Sequence, residues 1–297
     1  MKFTAPALLI AFCLAPPAFA QSASPPAPTN NAQPTTGFRE TLASAERGDA
    51  AAQFELGTRY EVGRGVAQDE AQAVAWYRKA ADQGNTRAQV NLGLMYGEGR
   101  GVTRDDAEAV KWYRKAADQG EAAAQYNLGI RYADGRGVAR DDATAISWYL
   151  KAANQGFIFA QYNLGWMYQK GQGVAQDDAA AAAWYRKAAE QGYDEAQSKL
   201  GYMYAEGQGV AKDDTQAVAW FHKAADQGSA FAQFNLGWMY ENGRGVTQNN
   251  DEAAAWYRKA ADQGNDDAQY NLYLMYKTGR ATAHDNDRVA PQKLRLR

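Results

Sequence analysis

Apolar side chains recur along most of this chain at the spacings that one face of a helix presents. Ala52, Leu56 and Tyr60 stand at i, i+4 and i+8. Ala73, Trp76, Tyr77 and Ala80 stand at i, i+3, i+4 and i+7. Between the two stripes Gly63-Arg64-Gly65-Val66 breaks the periodicity. Asp69 then sits where the N-cap of the second stripe belongs, and Gly84 closes it as a C′ glycine would. The pattern predicts two antiparallel helices of roughly 12–14 residues, too short to be stable alone.

The unit then repeats. Trp76, Trp112, Trp148, Trp184, Trp220 and Trp256 lie 36 residues apart without a slip, and so do Leu56, Leu92, Leu128, Leu164, Leu200, Leu236 and Leu272. A constant period of this size means stacked supersecondary units, each burying the stripe of its neighbour. The expected core is therefore the Leu and Trp series with Tyr60. The capping position carries Asp105, Asp141, Asp177, Asp213 and Asn249 after Asp69. A glycine recurs inside every first helix, from Gly57 to Gly237, at a cost of ~1 kcal/mol each relative to Ala. That cost predicts the close approach of another helix backbone or a Trp ring. The repeated Gly-x-Gly follows a helix rather than a strand and has no Gly-Lys-Ser/Thr completion, so it reads as loop geometry, not as a phosphate loop.

The composite pattern Ala-Gln-x-x-Leu-Gly-x-x-Tyr, Gly-x-Gly-Val, Asp, Trp-Tyr-x-Lys-Ala-Ala-x-Gln-Gly resembles the Sel-1-like repeat, an α/α repeat related to the tetratricopeptide repeat. Residues from Ala88-Gln89 to Gly120 match nearly every signature position, and the resemblance runs from about Gly48 to Gly279. It implies an all-α fold: a right-handed superhelical α/α solenoid of about six to seven 36-residue repeats, with first helices lining the concave side. It is specific for fold and weak for function. Bacterial members resemble adaptors that organise complexes in the cell envelope.

The ends differ from the repeats. Lys2, an apolar run from Ala7 to Leu14 and Ala18-Phe19-Ala20 read as a secretory signal peptide over 1–20, cleaved near Ala20. Cleavage would send the chain to the periplasm or outside the cell, with no transmembrane segment in the mature chain. The sole cysteine, Cys13, falls in that segment, so the mature chain has no disulfide framework. Residues 21–37 are rich in Pro, Ser and Ala and read as a disordered tether. Residues 38–48 align with a second helix in which Glu40 and Thr41 replace Trp and Tyr, an N-terminal cap. The solenoid is expected over 49–284. Near its end Tyr273 replaces the helix glycine and Ala281 the second loop glycine, and 285–297 form an irregular basic tail.

Composition narrows the chemistry. With 46% hydrophobic and 12% aromatic residues, and 32 basic against 34 acidic side chains, the chain is not a collagen, a wholly disordered chain or a basic nucleic-acid binder. Two scattered histidines, His222 and His284, give no metal-ligand spacing, and no catalytic residue set, metal or cofactor is expected. His222 takes the place of Arg78, Arg114, Arg186 and Arg258 and is expected to face solvent. The paired acids such as Asp105-Asp106 serve helix N-termini. Lys79, Lys115, Lys223 and Lys259 precede Asp82, Asp118, Asp226 and Asp262 by three residues and suggest exposed ion pairs.

Variation among the repeats points to a candidate surface. At 100° per residue, position 58 lies about 200° from the Leu56 position. Its series is Thr58, Leu94, Ile130, Trp166, Tyr202, Trp238 and Leu274. Phe159 and Trp166 stand i, i+7 on one helix, Phe231 and Trp238 repeat that pair two units later, and Tyr202 falls between them. Asn163 and Asn235 belong to a ladder of amides beside them. These seven residues form the candidate partner-binding set: an aromatic patch open to a ligand, or rings packed sideways against neighbouring helices. Positions 95, 167, 203, 239 and 275 carry Met, read as gap-filling.

The sequence thus predicts an exported, non-catalytic interaction scaffold in the bacterial cell envelope, holding a protein or peptide partner on its first helices, with no nucleic acid. Two alternatives stand beside it. One is a receptor for a peptide or cell-wall fragment. The other is a penicillin-binding, β-lactamase-like hydrolase, against which stand the lack of paired cysteines in each repeat and of Ser-x-x-Lys.

Overall fold

The computed structural model describes residues 36–281. The expected signal peptide, most of the expected tether, His284 and the expected basic tail lie outside the described residues. Fourteen α-helices and no strand occur among the described residues. They divide into two units, split after Phe157.

The first unit holds α1 (Thr36–Glu46), α2 (Ala50–Val62), α3 (Glu70–Asp82), α4 (Thr86–Glu98), α5 (Asp106–Asp118), α6 (Ala122–Asp134) and α7 (Asp142–Asn154). The second holds α8 (Ile158–Lys170), α9 (Asp178–Glu190), α10 (Asp194–Glu206), α11 (Asp214–Asp226), α12 (Ala230–Asn242), α13 (Asn250–Asp262) and α14 (Asp266–Lys277). Within each unit every helix packs on the next one along the chain.

Local chemistry sets the helix ends. Asp69, Asp105, Asp141, Asp177, Asp213 and Asn249 each accept a backbone N–H of the first turn, as an N-cap does. First helices end on a left-handed glycine, Gly63, Gly99 and Gly135 among them, whose N–H bonds back into the last turn. The second glycine of the loop has a different task. A Cβ on Gly137, at φ +74°, would stand 2.1 Å from the Asp106 carbonyl, so the loop of one repeat lies directly on the second helix of the repeat before. That contact accounts for the Gly-x-Gly.

Leu56, Leu92, Leu128, Leu164, Leu200 and Leu236 are fully buried and Leu272 nearly so. Trp76, Trp112, Trp148, Trp220 and Trp256 are buried, whereas Trp184 and Tyr60 are half-buried. Tyr60 meets Phe38 of α1 edge-on at 5.6 Å. The interior glycines face a ring, and the ring is the residue beside each Trp, a tyrosine or, for Gly201, Phe221, rather than the Trp itself. A Cβ on Gly129 would lie 2.6 Å from Tyr149.

Candidate functional site

Four polar arrangements hold the repeats and delimit what remains for function. The first is a glutamine ladder. Gln125 donates to the Ala117 carbonyl at 3.2 Å, and Gln155 donates to Gln125 Oε1 at 2.9 Å. Gln89 and Gln119, Gln197 and Gln227, and Gln233 and Gln263 repeat the pattern. The sequence analysis assigned these amides no role. The signal was present: a polar residue recurs every 36 positions, three residues before each core leucine and so on the same face.

The second arrangement corrects the expected Lys–Asp pairs. None of those four pairs forms among the described residues. Each lysine instead turns toward the tryptophan three residues before it. Lys79, Lys115, Lys151, Lys187, Lys223 and Lys259 hold Nζ within 3.7–3.9 Å of the centroids of Trp76, Trp112, Trp148, Trp184, Trp220 and Trp256. The ring face offers both apolar cover for the lysine stem and an attractive quadrupole for the ammonium.

The third corrects His222. It is half-buried, with Nε2 at 3.3 Å from the Tyr240 hydroxyl and its ring edge-on to Trp256 at 5.5 Å. Its position faces the next first helix, as Arg186 does in donating to Tyr204 at 2.7 Å. The fourth is Arg131, buried in a position that carries Met in five other repeats. It pairs with Asp106. A Cβ on Gly97 would collide with its guanidinium, so Gly97 makes its room.

The candidate surface separates into packed and open members. Leu94 and Ile130, in the same series, are only 3% and 5% exposed, so at these two positions the face is closed by packing, while Thr58 is half-buried. In the second unit Trp166 is half-buried against the cluster around Tyr185 and Leu200. Trp238 is half-buried between two clusters, with the Arg244 guanidinium 4.8 Å from its ring. Phe159 is half-buried, edge-on to Tyr193 at 5.4 Å. Tyr202 and Phe231 are the open pair, 38% and 46% exposed, with ring centroids 6.4 Å apart. Asn163 is half-buried, and Asn235 spends its amide on the Phe231 carbonyl at 2.8 Å.

Two recesses open on first helices. One, of about 220 Å³, lies in the second unit among Tyr202, Ala205, Phe221, Asn235 and Trp238. The other, of about 640 Å³, lies in the first unit over Phe54, Val90 and Phe157, with Glu55, Arg87 and Glu121 at its walls. No group of His, Cys, Asp and Glu suited to a metal ion occurs among the described residues. No described helix is long and apolar enough to cross a membrane.

Six consecutive segments, 50–85, 86–121, 122–157, 158–193, 194–229 and 230–265, match the family model described as the Sel1 repeat. Among solved structures, a protective antigen present in uropathogenic Escherichia coli strains, displaying an SLR fold, is 44% identical with a TM-score of 0.83. The match covers 86% of this chain and 55% of that one, so the chain spans little more than half the length of that protein. A Sel1 repeat protein from Oxalobacter formigenes is 41% identical with a TM-score of 0.70, over 84% of this chain and 74% of that one. No curated protein sequence matches the chain.

Proposed function

The chain belongs to the Sel1 repeat family, whose members are generally protein-interaction scaffolds on a typically non-catalytic solenoid, and from that premise we propose that it docks a protein partner on the first-helix face of its second unit. The single observation that supports this reading is the exposure of Tyr202 and Phe231 side by side, in a fold whose other large rings, apart from Tyr270 on the last described helix, are buried or half-buried among the described residues. Exposed aromatics next to a recess supply rigid contact area at low entropic cost and are frequent energetic centres of interfaces. Phe159, Asn163, Trp166, Asn235 and Trp238 form the surrounding surface in this reading. The scaffold acts in the bacterial cell envelope, in the periplasm or outside the cell, after export directed by residues 1–20.

One observation favours a second reading, a receptor for a peptide or cell-wall fragment. The recess of the first unit, about 640 Å³, is within the range of small-ligand sites and carries both charge signs over an apolar floor.

The test is photocrosslinking in the source organism, with benzoylphenylalanine at Tyr202 and, as control, at the exposed Ala219 of the second helix α11. A protein adduct specific to Tyr202 is the expected result. Folded, exported protein that gives no adduct from Tyr202 overturns the docking reading.

A further inference from the structure

The recess beside Tyr202 lies where a small residue on the first helix and a phenylalanine on the second occur together. In the first, fourth and sixth repeats the tyrosine of the second helix hydrogen-bonds a long side chain at the end of its first helix, Tyr77 to Glu61 among them, whereas the second and third carry Gly97 and Ala133 there and keep Tyr113 and Tyr149. Tyr257 donates to Glu241 at 2.7 Å, and Tyr185 pairs with Gln169 at 3.2 Å. In the fifth repeat the tyrosine is Phe221 and the long side chain is Ala205. Losing the hydroxyl removes the need for a polar partner, and losing the long side chain leaves its volume unfilled. Together the two changes leave an apolar hollow.

Phe231 stands beside the residues that line the hollow. Phe231 meets Phe221 at 6.4 Å and Tyr202 at 6.4 Å, and both outer rings remain exposed. On the rim Glu206 is exposed and has no ion-pair partner within 4 Å among the described residues. The nearby Arg244 is committed to Asp214 and to the Ala205 carbonyl. Glu206 feels the Arg244 charge only at a distance, and an exposed carboxylate without a direct ion pair, next to an open tyrosine face, favours a cation on the incoming chain.

We propose that this recess is an anchor pocket for one large apolar side chain of a partner segment that carries Lys or Arg beside it. The proposal rests on the docking reading above and specifies the chemistry of its partner. The occupant is a protein segment, because a hollow of about 220 Å³ matches one side chain rather than a whole ligand. The residues that discriminate are Ala205 and Phe221 for size and polarity, and Glu206 for charge.

The test titrates the full chain with three blocked pentapeptides, Gly-Lys-Phe-Lys-Gly, Gly-Glu-Phe-Glu-Gly and Gly-Lys-Ser-Lys-Gly, following the methyl signals of Ala205 and Met239 by NMR. The expected result is saturable binding of the first peptide, at least about tenfold tighter than the other two. The double substitution Ala205→Gln with Phe221→Tyr reinstates the Gln169–Tyr185 arrangement, fills the hollow and is expected to abolish that binding. Glu206→Lys leaves the packing untouched and is expected to erase the preference between Lys and Glu flanks. Absence of saturable binding, equal binding of the serine peptide, or charge preference unchanged by Glu206→Lys each overturns the pocket. Crosslinking from Tyr202 that captures the same partner with and without Ala205→Gln/Phe221→Tyr leaves the docking face standing and overturns the pocket alone. Loss of both the Tyr202 adduct and all peptide binding overturns both.

Discussion

Gln155 donates its side-chain amide to Gln125 Oε1 at 2.9 Å across 30 residues of sequence, and Gln125 passes the chain of bonds to the Ala117 carbonyl at 3.2 Å. Gln125 is therefore the buried node that ties the C-terminus of one second helix to the first helix of the next repeat and to that repeat's own last turn. Gln125→Ala removes the donor, while the Ala117 carbonyl keeps its bond from the Gly120 N–H and the Gln155 amide its bond to the Gly120 carbonyl. The expected loss is that of the hydrogen bonds themselves, about 0.5–1.5 kcal/mol in equilibrium unfolding. A loss within a few tenths would show that the ladder follows from the packing instead of supporting it.

Gly129 tests the close approach of Tyr149. Alanine gains ~1 kcal/mol of helix propensity, but its Cβ would stand 2.6 Å from a ring that is itself buried and cannot step aside. Overpacking costs about 1–3 kcal/mol, so Gly129→Ala is expected to destabilise despite its better propensity. A raised urea midpoint would contradict the approach.

Trp148 carries both an apolar load and the Lys151 ammonium, 3.7 Å from its centroid. Trp148→Ala is expected to cost ~3–5 kcal/mol by chemical denaturation. Lys151→Ala, which removes only the cover over one face, should cost ~1 kcal/mol or less. Equal losses from the two would place the main stabilisation in the cation rather than in burial of the ring.

Much of this was legible in the sequence, and what was not has physical causes. The Leu and Trp periods and the Asp caps are local signals, and helix arithmetic handles them. The same arithmetic places Asp82 and Trp76 equally near Lys79, three residues away on either side. Desolvation of the lysine stem along a ring decides between them, and spacing does not express it. The face at position 58 is a different case. Leu94, Ile130 and Tyr202 share one register, yet two are buried and one is open, because the neighbouring helix supplies different side chains in each repeat. The recess required reading two positions together, Ala205 with Phe221, sixteen residues apart and unremarkable singly.

Asp214 gives the fold a pH signature. The hydrogen bond from Arg244 holds its carboxyl below the usual carboxylate range, assisted by the charges of Arg244 and Lys212 and opposed by burial. A depressed native pKa stabilises fully above the unfolded value, about 3.9, and that share is lost as pH falls through the native pKa. Asp214→Asn should therefore be less stable than the parent at pH 7, with the gap closing below about pH 4. Urea unfolding at pH 7 and pH 3 reads it directly, and a gap that widens in acid would reverse the assignment.

The account's central claim is that Tyr202 and Phe231 serve a partner and not the stack. Equilibrium unfolding of Tyr202→Ser and Phe231→Ser, run beside capture of the crosslinked partner through a reporter at Asn235, tests it most directly. The prediction is a stability change within about 0.5–1 kcal/mol of the parent together with loss of capture. Losses of several kcal/mol with capture intact would mean that both rings are packing residues and that the docking surface lies elsewhere.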